Sequence, residues 1–171
     1  MGLTALPLAL ALAAPLIAPT VDIGFVTTGD GQLHIAIGNK TDKPVFINLG
    51  YTVANGTKLV PSNLVFTVKQ DGQTQNLQYH TGEPAFGGRY DDYIVPLAPH
   101  GYYQFSVRVS DFFDPTGKAV PLKPGKYVGE LSLVSREPSF VNSDMQGVRL
   151  LKIWAGTVSS GEVELEHRSR S

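Results

Sequence analysis

Residues 102–110 read YYQFSVRVS, and within them Tyr103, Phe105, Val107 and Val109 alternate with Gln104, Ser106, Arg108 and Ser110. Successive side chains of an extended strand point to opposite faces, so this spacing describes a strand with one face in a core and the other in water. The same period of two recurs at Leu33, Ile35 and Ile37, and at Leu64, Phe66 and Val68. It returns near the end, where Val163 and Leu165 are set between Glu162, Glu164 and Glu166. Half-wet strands of this kind belong to antiparallel sheets. Further strands are expected over residues 21–26, 44–49, 74–79, 93–97, 126–134 and 148–155.

Turn-forming residues punctuate these runs: Gly29 to Gly31, Asn55–Gly56, Asp71–Gly72, Pro99 to Gly101, Pro115 to Gly117, Pro124–Gly125 and Ser160–Gly161. Asp71–Gly72 lies between two alternating runs and is the strongest hairpin signal. No stretch carries a helical period. The reading is an all-β, immunoglobulin-like antiparallel β-sandwich of about seven to nine strands. Leu33, Ile35, Ile37, Phe66, Val68, Phe105, Val107, Leu131 and Leu133 are expected to face inward.

Composition agrees with one such domain. The chain has 171 residues, 42% hydrophobic and 17% charged, enough apolar side chains to bury a core and too few charges for a disordered polymer. The formal net charge is -1 with no long basic block, which removes the electrostatic footprint of a nucleic-acid binder. Cysteine is absent, so neither disulfides nor thiolate metal sites contribute.

The first residues read differently. Leu3 to Leu12 is almost wholly apolar, and Ala11, Leu12 and Ala13 form a small-x-small site, the pattern of an export signal. Residues 1–20 are therefore set apart as a signal peptide or hydrophobic anchor, residues 21–166 as the sandwich and residues 167–171 as a polar tail. The expected location is secreted, periplasmic or the cell envelope, with membrane contact only through an uncleaved N-terminal segment. No Lys or Arg precedes the apolar run, which departs from the usual charged start.

Motifs that carry chemistry are sparse. His34, His80, His100 and His167 stand far apart and none has the spacing that places two zinc ligands on one helical face. There is no G-x-S-x-G elbow, thiol nucleophile, phosphate-binding loop or dinucleotide fingerprint. The expectation is a protein that is not an enzyme and uses no cofactor or metal. A Ser, His and Asp cluster assembled from distant residues is the competing reading, because triads are recognised by geometry and not by spacing. Asp91 with Asp92, and Asp111 with Asp114, offer oxygen ligands of the type calcium takes, but such residues more often bond nearby backbone at turns and strand ends.

The segment from His80 to Tyr93 is the most unusual loop. Phe86, Arg89, Tyr90 and Asp91 are set among Gly82, Pro84, Gly87 and Gly88, and aromatic and arginine side chains on an exposed loop are the types that anchor protein partners. Packing against the open end of the sandwich competes with binding there and is favoured over it. A second surface candidate is Glu137 to Met145, around Phe140. Trp154, in an apolar run, reads as core. Asn39 and Asn55 each open an N-x-T triplet, which places both on surface turns able to accept glycans in a eukaryotic secretory pathway.

From Leu33 to Leu131 the order of features resembles the N-terminal β-sandwich that precedes the catalytic domain in bacterial members of the deuterolysin and peptidyl-Lys metalloendopeptidase family. The resemblance is carried by the run Leu33 to Gly38 followed by Asn39, Lys40, Thr41, Asp42, Lys43, Pro44 and Val45, and by Phe66, Thr67 and Val68 before Asp71 and Gly72. It continues through Asp92, Tyr93, Ile94 and Val95 before Pro96 and Leu97, and through Pro124, Gly125, Lys126 and Tyr127. It implies a secreted accessory or pro-domain fold without the protease domain, and no catalytic residue transfers. The apolar start, the all-β pattern and the missing catalytic motifs give the first expected function, an exported binding or structural module whose partner is another extracytoplasmic protein; the resemblance alone implies the second, an inhibitor or pro-domain-like partner of a secreted protease.

Overall fold

The computed structural model describes residues 20–28, 31–80, 90–120, 122–138 and 152–167. The N-terminal apolar segment thus lies outside the described residues, and no described helix is long and apolar enough to cross a membrane. Strand β1 (Val21–Thr27) pairs antiparallel with β2 (Gln32–Asn39), which pairs on its other side with β8 (Tyr102–Arg108). This three-stranded sheet buries Val21, Ile23, Phe25, Leu33, Ile35, Ile37 and Val107 on one face.

A second sheet has the order β12 (Gly156–His167), β10 (Gly125–Ser135), β5 (Leu64–Gln70), β6 (Gln73–Tyr79) and β9 (Phe112–Phe113). Its hairpin between β5 and β6 turns on Asp71 and Gly72, with φ of 52° and 75° and Gln70 opposite Gln73. That is the two-residue turn read from the sequence, and its two left-handed residues match the twist of the flanking strands. In the third sheet β3 (Val45–Val53) pairs with β7 (Asp91–Leu97), β4 (Lys58–Val60) and β11 (Ile153–Trp154). Nine of these strands have seven residues or more, so the all-β sandwich of nine long strands stands, with three short strands added.

One continuous core joins the sheets, from Val21 and Ile37 through Phe66 and Leu131 to Ile47 and Val95. Each fully buried leucine or phenylalanine contributes about 1.5–3 kcal/mol relative to exposure. Phe66, Leu64, Leu131 and Leu133 are wholly buried. The sequence reading placed Phe105 with them; its face is correct, but it is half-buried and packs at the margin of the core.

Four other expectations are corrected. The strand read over 44–49 continues to Val53, because β3 crosses a bulge between Asn48 and Tyr51 where Gly50 takes a φ of 144°. Ser160–Gly161 does not end a strand: one extra residue in β12 opposite Leu131 forms a bulge, with Gly161 at φ 75°. The Ser160 hydroxyl accepts from the Leu131 amide at 3.0 Å, which repairs the ladder there. β12 also reaches His167, one residue into the stretch read as a tail. Finally, β11 runs parallel to β3, the lone parallel pairing among the described strands.

Asn39 is the clearest reversal. It is buried at 3% exposure, and its amide nitrogen donates to the carbonyls of Lys43, Ala98 and Leu97 at 2.8, 3.0 and 3.2 Å. Its carbonyl oxygen accepts from the Thr41 amide and hydroxyl at 2.9 and 2.8 Å. The Asn-x-Thr triplet there is a turn staple, with the Asn buried because it satisfies carbonyls from two loops. Asn55, by contrast, is exposed in the turn between β3 and β4.

Candidate ligand-binding face

Alternate residues of β1, β2 and β8 point away from the core and align in cross-strand rows. One row is Asp22, Gly38 and Tyr102; the next is Gly24, Ala36 and Gln104; the third is Val26, His34 and Ser106. The middle row has almost no side-chain height at Gly24 and Ala36. An open trough of about 640 Å³ lies over Gly24, Ala36, Gln104 and the third row, and Phe25, Ile35 and Phe105 from the intervening positions also line it. That volume falls in the range of small-molecule sites, roughly 300–1,000 Å³.

Two exposed apolar groups stand on this face, Val26 lining the trough and Tyr102 one row beyond it. Val26 and Tyr102 are 65% and 71% exposed, the two most exposed large apolar residues described. Tyr102 is held over the sheet by Gly38: a Cβ added there would fall 2.9 Å from the Tyr102 ring and 2.2 Å from the Asp22 carboxylate. Glycine at position 38 therefore lets both neighbours lean across β2. Asp22 is tied to Lys40 by an ion pair at 3.1 Å, which keeps that carboxylate at the end of the face.

His34 Nδ1 and Ser106 Oγ share a hydrogen bond of 2.8 Å across β2 and β8. A nucleophilic serine needs a base that a third group orients. Among the described residues no carboxylate bonds His34, and the His100–Asp42 ion pair, at 2.8 Å, is on separate loops. No group of three or more histidine or acidic residues able to hold a metal occurs among the described residues. The Asp91–Asp92 and Asp111–Asp114 pairs have backbone and side-chain work instead. Asp92 accepts from the Asn48 side-chain amide at 3.0 Å, and Asp111 accepts from the Arg108 backbone amide at 3.1 Å. Asp114 accepts from the amides of Thr116 and Lys118, each at 2.9 Å, and its carboxyl is held below the usual range, first by the Thr116 hydroxyl.

The loop favoured by sequence is only partly described. Phe86 and Arg89 lie outside the described residues, as do residues 139–145 of the second surface candidate. Tyr90 is 38% exposed and packs against Tyr51, with ring centroids 5.9 Å apart. Asp91 is not a loop residue: it opens β7 opposite Thr52. Trp154 is half-buried against the core. A buried polar cluster at the β3 bulge is likewise structural, since Asn48, Asn63 and Ser135 bond backbone and one another, and Ser135 donates to the Trp154 carbonyl at 2.7 Å. No buried side-chain nitrogen or oxygen among the described residues lacks a partner.

Sequence reasoning missed the trough because its residues are drawn from positions 24 to 106 and meet only through strand register. The available signal was the wet side of the alternating runs, where Gly24, Ala36 and Gly38 are small. A scan of the chain against protein-family models finds no match, and a search of curated proteins finds no relative.

Proposed function

We propose that this protein is a non-catalytic binding module that acts outside the cytoplasm and takes its ligand on the outer face of β1, β2 and β8. The observation that carries the reading is the open trough over Gly24 and Ala36, lined by exposed Val26 and by His34, Gln104 and Ser106. A two-sided sandwich gains nothing in stability from such a hollow on its solvent face, whereas a concave face with a few polar groups is the usual form of a recognition surface. The apolar segment at Leu3 to Leu12 supports the location.

The test is fractionation of the cells that make the protein, followed by amide NMR of the labelled protein with extracytoplasmic material. The expected result is recovery outside the cytoplasm and shifts confined to β1, β2 and β8. Recovery in the cytosol alone, or shifts elsewhere, overturns the proposal.

A further inference from the structure

We infer that the free edge of β8 pairs with the same edge of a second copy of this chain, in a two-fold antiparallel register that sets Gln104 opposite Gln104. This goes beyond the binding-module reading and does not depend on it. The first observation is which backbone groups β8 leaves open. The Asn39 amide donates to the Gly101 carbonyl at 3.0 Å, and the Val109 amide donates to the Gly31 carbonyl at 2.9 Å. Bonded and non-bonded pairs alternate along an antiparallel ladder, so this register commits the backbone groups of Tyr103, Phe105 and Val107 to β2. Those of Tyr102, Gln104, Ser106 and Arg108 point the other way, where β8 has no neighbouring strand among the described residues. Arg108 is closed there, because its amide donates to the Asp111 carboxylate at 3.1 Å. Tyr102, Gln104 and Ser106 keep both groups open, and they are symmetric about Gln104.

The second observation is the make-up of that edge. Sheets blunt their exposed edges with charge, proline, bulges or shortness, since an open flat edge templates pairing with another chain. The other described edges follow that rule. β12 has its bulge and Glu162, Glu164 and Glu166, and β7 has Asp91, Asp92 and Pro96. β4, β9 and β11 have only three, two and two residues. β1 lies alongside β12, while β6 is paired by β9 at Gln78 and Tyr79 and flanked by Leu122 and Lys123 beside Gln73 and Gln75. From Tyr102 to Val107, β8 has no charge, no proline and no bulge.

The third observation selects the partner. About a two-fold axis at Gln104, Gln104 meets Gln104 and Tyr102 meets Ser106, so every open N–H and C=O of the three residues is used. Sliding the register by two positions either leaves Ser106 unpaired or brings Tyr102 against the closed amide of Arg108. In the symmetric register Tyr103 falls opposite Phe105 as a non-bonded pair, the arrangement in which side chains come closest. Both rings face the core yet are only half-buried, with centroids 5.5 Å apart, so pairing covers two aromatic residues of each copy. Self-pairing on an axis sets like against like, and an edge without charge does not repel its own copy. Seven residues are fewer than the roughly 20–30 a side of a standard interface, so the association is weak and concentration-dependent.

The experiment is sedimentation equilibrium of the purified, full-length protein with no ligand added, from about 10 µM to about 1 mM, the range of a weak interface. A reversible monomer–dimer equilibrium is expected. Gln104→Pro removes an N–H that faces the edge, a place where proline is tolerated, and should weaken the dimer at least tenfold while the dilute protein melts as the native one does. Gln104→Lys and Gln104→Glu each set like charges together on the axis and should each weaken it at least tenfold at low salt. An equimolar mixture of those two variants should restore the dimer, which only a register with position 104 opposite itself predicts. A protein that stays monomeric throughout, a dimer that survives all three substitutions, or a mixture that fails to associate overturns the inference. It is also overturned if the β8 amides shift with an extended peptide of another protein while the chain alone remains a monomer.

Discussion

Phe25 on β1 meets Phe66 on β5 edge to face, with ring centroids 6.0 Å apart and planes at 89°. The contact joins two sheets at the centre of the core, and such a pair adds about 0.5–1.5 kcal/mol beyond the area it buries. Phe66→Ala is therefore expected to lower unfolding stability by about 3–5 kcal/mol in urea titrations. Phe105→Ala, at the margin, should cost less; an equal or larger loss there would show that the core extends past β8.

Asn39 is expected to carry no glycan when the protein is passed through a eukaryotic secretory pathway, because its amide nitrogen is committed to carbonyls of Lys43, Leu97 and Ala98. Exposed Asn55 is the position to be modified, and peptide mass spectrometry distinguishes them. Asn39→Ala leaves the Leu97 carbonyl, which is buried, and those of Lys43 and Ala98 without their donor and should cost about 1–3 kcal/mol in thermal or urea unfolding.

Stability should fall in alkali. Burial raises the phenol of Tyr93 above its ordinary value of 10.0, aided by its hydrogen bond to Tyr103, and burial also raises Tyr79 and Tyr127. The folded state then holds protons that the unfolded state releases, so these groups cost nothing below their unfolded values and remove stability as pH climbs past about 10. Unfolding titrations between neutral pH and pH 11 should show that decline, with Tyr93→Phe reducing its slope. A flat profile would mean these phenols ionise freely in the fold.

Gly24 and Gly50 should respond to substitution with opposite signs. Gly24→Thr replaces a flexible residue by a strand former in open space and is expected to gain about 0.5–1 kcal/mol. At Gly50 a Cβ would fall 2.2 Å from the Val60 carbonyl oxygen and 2.5 Å from the Ser62 amide nitrogen, both backbone atoms. Gly50→Ala should destabilise by more than about 2 kcal/mol, because backbone and φ must both yield. Paired melting curves decide both signs.

The strands were legible wherever alternation was uninterrupted. Leu33 to Ile37, Leu64 to Val68 and the Asp71–Gly72 hairpin declare themselves locally, since pleat and turn chemistry act within a few residues. β3 was cut short because its bulge at Asn48 to Tyr51 breaks the period of two. Asn39 looked like a surface residue because its partners, Leu97 and Ala98, are 58 and 59 positions away. The loop around Phe86 drew notice through local composition. The trough has no local composition at all, since Gly24, Ala36 and Gln104 become neighbours only when three strands align.

The bulge in β12 means that this strand is written in two phases. Before it Val158 is buried, and after it Leu165 is, an odd number of positions later, so the extra residue at Ser160–Gly161 inverts which parity of the sequence faces inward. Glu162, Glu164 and Glu166 owe their place in solvent to that inversion. The C-terminal arm can exchange one side chain for another at most outward positions, yet it cannot absorb the gain or loss of a single codon near Gly161. A shift by one would turn the glutamates toward Phe66 and Tyr127, so for the evolution of this arm reading length is a harder constraint than residue identity.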